Sequence, residues 1–393
     1  MKSSQDHSIA PFLLLASREH LSHKEKVRLI DIAPRSMVEW RNLRDAARRL
    51  HVLPFVFHHA VHLDLLNENH LSELGLKELA IQSTALWLRV LAAQTNFQKK
   101  CLEPLTIEHV FLKGLALSDF YSNPNLRTPR DIDVLINIEN FDAVLSLAKQ
   151  HGYKVMLDPK RGVVAQTIRE ERLASFFKPD LALISPEGIL IELHYSIGRD
   201  FVGLQNIEIF SSCQVVNIGK EKFKTMNPAL HLLYLCSHHT HHFWDSLKWL
   251  ADVSAFRNFY HENLASITEL TKQHGMEDVV GVSFGFEAAT RSETIDKSVD
   301  PRVLALLKLS MQRINNPNGP NEDVRREMNA FPFFLQSSPS STSAVARRLR
   351  HSFQLDVADY HTLKLPYILR SLYFIPSFFR FVVRQFSKAL SPK

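Results

Sequence analysis

Residues 109–136 read HVFLKGLALSDFYSNPNLRTPRDIDVLI. The apolar run His109 to Leu112 suits a buried strand. A Lys113-Gly114 turn leads into a helix-like segment, Leu115 to Tyr121. A loop with Ser122, Asn123, Pro124, Asn125 and Pro129 then delivers the chain to Asp131-Ile132-Asp133 and a second apolar run, Val134 to Ile136. On a strand, residues two apart share a face. Asp131 and Asp133 therefore aim two carboxylates at one point, while Ile132 and Val134 face the other side. Two converging carboxylates beside a glycine turn that opens a helix are what a divalent metal and a polyphosphate require.

Working outward, residues 106–225 alternate short apolar runs with helical patterns. The runs are His109 to Leu112, Asp131 to Ile136, Tyr153 to Leu157, Asp180 to Ser185 and Ile189 to Tyr195. Phe141 to His151 reads as a helix ended by Gly152, and Pro186-Glu187-Gly188 as a hairpin turn. This is an α+β pattern: a small mixed β-sheet core flanked by N- and C-terminal helical regions. Residues 1–105 are helical in pattern. Ser36-Met37-Val38-Glu39 has the form of a capping box, and Met37, Trp40, Leu43, Ala47 and Leu50 follow at helical spacing. A second helix pattern runs from about Leu74 to Lys100 and stops at Pro104. Helical periodicity returns over 226–336, in Ala229 to Ser237 and Leu247 to Phe256. A loop rich in Asn, Pro and Gly follows at 315–321. Residues 337–393 form a Ser-rich linker and a basic aromatic tail.

A further acid interrupts one of the apolar runs. Glu192 stands in Ile189-Leu190-Ile191-Glu192-Leu193, where a bare carboxylate is costly unless it meets a cation or leaves the core. If its strand lies beside that of Asp131 and Asp133, three hard oxygen ligands converge. Such a set suits Mg²⁺ with a bound triphosphate, and a pair of ions would stabilise both attacking and leaving oxygens of an in-line displacement. Gly114 lets the backbone approach a phosphate, and Lys113 adds a point charge. Arg127 and Arg130 flank the loop before the acids. Arg127 is a candidate fork on a triphosphate oxygen, with charge compensation of the aspartates as the alternative.

At these residues a family resemblance appears. FLKGLALSDFY, RTPRDIDVLI and the strand Glu192-Leu193-His194-Tyr195 resemble the uncharacterised nucleotidyltransferase family of the DNA-polymerase-β-like superfamily. Trp40 to Pro54 and Leu247 to Asp252 are similar to its flanking helices, so the likeness spans about 40 to 256. It implies an Mg²⁺-dependent enzyme that transfers a nucleoside monophosphate from an NTP, ATP by default, to an acceptor, with pyrophosphate leaving. By that resemblance Asp131, Asp133 and Glu192 are catalytic metal ligands and Gly114 is the phosphate turn; Lys113 and Arg127 join Gly114 as nucleotide-binding candidates through their own charge and position. The superfamily usually has Gly-Ser at the phosphate turn, whereas this chain has Gly114-Leu115, and Lys113 is taken to stand in. The alternative is a catalytically inactive module that binds a nucleotide or partner through the same fold.

Other features bear on partners. His238, His239, His241 and His242 include the i, i+4 spacing of zinc ligands, but no HExxH glutamate or cysteine set accompanies them. Packing against Phe243, Trp244 and Trp249 is the simpler reading, with one histidine lining a cleft as a middle option. A hydrophobic fraction of 45% and a charged fraction of 22% belong to a globular protein. The net charge of +6 lies in the tail, where Lys364, Arg370, Arg380, Arg384, Lys388 and Lys393 meet no acid after His361. The balanced remainder argues against a long nucleic-acid track. Residues 363–388, basic and rich in Phe, suit docking on the protein's own helical domain, with an anionic membrane surface or nucleic acid as the alternatives. Cys101, Cys213 and Cys236 are widely spaced, and Ala10 to Ala16 is too short for a signal peptide, so we expect a cytoplasmic protein. Acceptor, base and oligomeric state have no sequence signature here.

Overall fold

The structure is a computed structural model that describes residues 9–177, 180–197, 206–242, 244–259, 264–293, 298–315, 359–360 and 363–379. The Ser-rich linker, Phe243, the His241 side chain and the tail beyond 379 lie outside the described residues, as does the loop from 316 to 321. Contacts divide the chain into two units. Met1–Leu91, Leu112–Arg130 and Asp200–Gln336 form the first; Ala92–Phe111, Asp131–Arg199 and Ser337–Lys393 form the second.

The second unit is built on a mixed sheet. Its strands are β1 (His109–Phe111), β2 (Asp131–Ile136), β3 (Lys154–Asp158), β4 (Val163–Val164), β5 (Asp180–Ile184) and β6 (Leu190–His194). They lie in the order β4-β3-β5-β6-β2-β1. Strand β2 runs antiparallel to β1 and parallel to β6, and β5 runs antiparallel to both β6 and β3. The alternation in β2 and β6 decides which side is core. Ile132, Val134, Ile136, Ile191 and Leu193 are each at most 1% exposed. That leaves Asp131, Asp133, Glu192 and His194 on the opposite side.

The β5–β6 hairpin turns at Pro186-Glu187-Gly188. There the Gly188 N–H donates to Ser185 O (2.9 Å), and Asn96 Nδ2 donates to Glu187 Oε1 (2.7 Å). The helix Phe141–Gln150 stops at Gly152, whose φ of +84° only glycine takes without strain. The helix Ile168–Phe177 packs against β3 and β5. The described tail contacts that same helix: Tyr360 OH donates to Glu170 Oε1 (3.1 Å), and the Arg172 guanidinium lies over the Tyr367 ring. Ile368, Phe374 and Phe379 remain exposed.

The first unit is mainly helical. Ser36 caps Met37–Arg49: its hydroxyl accepts from Glu39 N, and the Glu39 side chain accepts from Ser36 N. Trp40, Leu43, Ala46 and Ala47 bury one face, and Arg49 Nη2 donates to the carbonyls of Arg313 and Ile314 at the end of Pro301–Asn315. Glu287, buried in Glu277–Arg291, meets Arg291 (2.6 Å), Arg257 (2.8 Å) and Arg18 (3.7 Å). A hairpin of β7 (Cys213–Ile218) and β8 (Glu221–Met226) also belongs to this unit. Its apolar period is too thin to signal strands in the sequence. The helix-like segment after Gly114 takes 3₁₀ form over Gly114–Phe120. No helix among the described residues is long and apolar enough to cross a membrane.

Two buried histidines make this unit acid-sensitive. His59 Nε2 donates to Arg18 O (2.8 Å) and His231 Nε2 to Leu112 O (2.5 Å). Burial pushes both down to about 4 from the ordinary 6.5. Because the folded pKa is the lower one, the stability that neutral histidine contributes is complete above pH 6.5. It is lost as the pH falls from there toward 4, when only the unfolded chain takes the proton. We expect urea-unfolding free energy to drop across that window by about 1.4 kcal/mol per pH unit for each histidine. The His231→Gln variant should show a shallower slope.

Candidate active site

The acids are aligned by strand pairing. Asp133 is the direct register partner of Glu192 on parallel β6, and Asp131 of Leu190. Paired residues on neighbouring strands point to the same face, so the Asp133 and Glu192 carboxylates emerge side by side. Asp131 lies two residues along the same face, about 7 Å away by strand rise. Next to Glu192 on β6 comes His194. Its Nε2 is 3.2 Å from Asp133 Oδ1 and 3.8 Å from Glu192 Oε2. The Asp133 side chain is fully buried, while those of Glu192 and His194 are 23% and 15% exposed.

Electrostatics follow from this spacing. Burial works against a charged imidazole at His194, but the hydrogen bond and charge of Asp133 oppose it. With Glu192 and Asp180 added, they raise its pKa above the ordinary value. Asp180 is the register partner of His194 on β5. Neither His194 nor Asp180 was assigned a part from sequence. The histidine was visible only as one letter of a strand motif, and Asp180 only as a strand start.

Among the described residues, Asp133, Glu192 and His194 are the group able to hold a metal ion, with one donor atom from each within 4.8 Å of the others. Carboxylate oxygens of this kind, largely buried and held by paired strands, fit a divalent cation. Asp133 and Glu192 are two of the three ligands that the resemblance implies; Asp131 stands outside this group, and His194 adds a nitrogen to it.

Lys113, Gly114 and Arg127 belong to the first unit. Gly114 has φ +67°, a backbone state that permits the sharp turn out of the strand direction. The preceding Lys113 places Nζ 3.5 Å from His238 Nε2. Arg127 is buried and grips Asp252 as a fork: Nε donates to Oδ1 (2.8 Å) and Nη2 to Oδ2 (3.1 Å). Its Nη1 reaches Gly114 O at 3.4 Å, and Tyr121 OH donates to Asp252 Oδ1 at 2.7 Å. Burial alone would raise the Asp252 carboxyl, yet the charge and hydrogen bonds of Arg127 carry it below the ordinary range. This carboxylate was legible by the logic applied to Glu192, since it interrupts the apolar helix Lys248–Phe259.

The histidine cluster packs on aromatic rings. His239 stacks on Trp249 (centroids 5.1 Å, planes 9° apart) and meets Trp244 edge-on at 5.3 Å. His238 and His242 rings lie 4.5 Å apart. Among the described residues no third ligand-type side chain joins them to make a metal-binding group.

The family model of uncharacterised nucleotidyltransferases matches residues 36–289. The chain belongs to that family. No curated protein matches it. A crystal structure of an antigenic nucleotidyltransferase-like protein from Paracoccidioides brasiliensis aligns at 14% identity and a TM-score of 0.28, covering 51% of this chain and 91% of that one.

The Arg127–Asp252 fork gives a stability prediction. Replacing Asp252 with Ala strands a buried guanidinium and should cost about 3–5 kcal/mol in urea unfolding. The Arg127→Met/Asp252→Leu double variant, which removes both charges, should lose distinctly less.

Proposed function

We propose that this chain is an Mg²⁺-dependent nucleotidyltransferase that moves a nucleoside monophosphate from an NTP to an acceptor hydroxyl or similar group. The observation that carries this is the side-by-side pairing of Asp133 with Glu192 on parallel strands, with Asp131 on the same face, in a chain of this family. Asp131 and Asp133 hold the ions. Glu192 completes the set or takes the acceptor proton. The acceptor oxygen forms a bond to the α-phosphorus, the α–β bridging bond breaks, and pyrophosphate leaves with the bond's electrons. When bound, Mg²⁺ supplies positive charge to phosphoryl oxygens during this exchange. Lys113 contributes a point charge, and Gly114 allows the backbone close to the phosphates. Arg127 acts on the same turn through Gly114 O, with Asp252 fixing its guanidinium. Three unpaired thiols, two of them buried, are in keeping with a cytoplasmic setting.

A second reading, an inactive nucleotide- or partner-binding module, is favoured by Leu115 at the phosphate turn. That side chain is 1% exposed and offers no hydroxyl. The two readings separate in one experiment. The full chain is incubated with each labelled NTP, Mg²⁺ and cell extract, beside the Asp131→Asn/Asp133→Asn double variant. We expect label transfer with the native chain and a loss of about 100-fold or more in the variant, since the metal is worth several kcal/mol. Its thermal unfolding should remain cooperative. Equal labelling by both proteins overturns the enzyme. NTP stabilisation without Mg²⁺ and without labelling would support the binding module.

A further inference from the structure

Mg²⁺ takes oxygen ligands, yet the donor group on this sheet includes a nitrogen. β6 brings Glu192 and His194 to the face where β2 presents Asp131 and Asp133. The His194 Nε2 stands between two carboxylates, 3.2 Å from Asp133 Oδ1 and 3.8 Å from Glu192 Oε2. Ligand atoms about 2.1 Å from one ion lie about 3–3.5 Å from each other, so this spacing needs only small adjustments to close on a cation. The side chains are also constrained. Asp133 is fully buried, and His194 and Glu192 are largely so, all three on paired strands rather than a loop.

We propose that His194 is a direct metal ligand, making with Asp133 and Glu192 an N/O site that takes a first-row transition ion such as Mn²⁺ in preference to Mg²⁺. Resting on the metal site assigned above to Asp133 and Glu192, this role adds the ligand that chooses the ion. Imidazole nitrogen suits the later first-row ions best; manganese, at the low end of their affinity order, still accepts it more readily than magnesium, which keeps to oxygen. The competing geometry keeps His194 outside the coordination shell, donating to Asp133 and orienting it. That arrangement would strengthen every cation bound through Asp133 alike and would leave no nitrogen on the ion.

The test uses the full chain. Mn²⁺ and Mg²⁺ are titrated separately by calorimetry, and the Mn²⁺-loaded protein is read by pulsed electron paramagnetic resonance for directly coordinated ¹⁴N. We expect Mn²⁺ to bind at least about 10-fold more tightly than Mg²⁺ and to show imidazole nitrogen coupling. Glu192→Gln should remove that signal, which separates the site from adventitious manganese at other histidines. His194→Gln keeps an N–H donor for Asp133. It should abolish the nitrogen coupling and weaken Mn²⁺ at least about 10-fold while Mg²⁺ affinity stays within a factor of about 3. Absence of nitrogen coupling in the native protein overturns the ligand role and needs no variant to fold. Equal weakening of both ions by His194→Gln overturns it as well. If neither ion binds the native chain, the carboxylate site itself fails, an outcome distinct from oxygen-only binding.

Discussion

The register of β2 against β6 is the constraint on which the candidate site depends. Asp133 faces Glu192 because Ile132, Val134, Ile191 and Leu193 occupy the alternate positions and are buried to 1% exposure or less. A slip of β2 by one residue would send Ile132 and Val134 to the polar face and turn Asp131 and Asp133 toward the apolar side. Burying such side chains contributes about 1.5–3 kcal/mol each. The penalty for a bare carboxylate in the core adds to the same preference. The residues that align the acids are therefore the apolar ones between them. The geometry of the candidate site is a by-product of a core that tolerates only one register.

Much of this was readable in the letters, and the reason is specific. In DIDVLI and ILIEL the acids break an apolar period, and a carboxylate without a reason does not persist in a buried strand. The Pro186-Glu187-Gly188 turn and the stop at Gly152 were equally plain, because turns need particular backbone states. Other parts gave no such signal. In the β7–β8 hairpin Val216, Ile218, Phe223, Thr225 and Met226 are buried among polar and charged neighbours, so the apolar period is thin. β4 is two residues long, shorter than any pattern can register. That β6 inserts beside β2 after β3, β4 and β5 have been made is a matter of sheet order, which local spacing does not encode. The contact of His194 with Asp133 depends on that order, so it appears only in the folded chain. Asp252 is the opposite case: its signal was present in KWLADVSAF, and its partner Arg127 had been assigned elsewhere.

The chain treats buried charge in two different ways. Asp252 is closed by a two-pronged guanidinium and a tyrosine hydroxyl, and Glu287 is met by Arg18, Arg257 and Arg291. In these networks strong permanent cations meet the carboxylates, which is the pattern of an ion cluster that holds a structure together. On the sheet face the balance runs the other way. One imidazole faces three carboxylates, Asp133, Glu192 and Asp180, and they draw it toward its charged form against the cost of burial. A purely structural cluster would gain by exchanging that weak base for arginine, whose charge needs no help from its neighbours. A histidine can instead give up its proton and offer a lone pair, which is what the ligand role proposed for His194 requires. The difference between arginine at Asp252 and histidine at Asp133 is thus the difference between a charge that must stay paired and a charge that can be replaced.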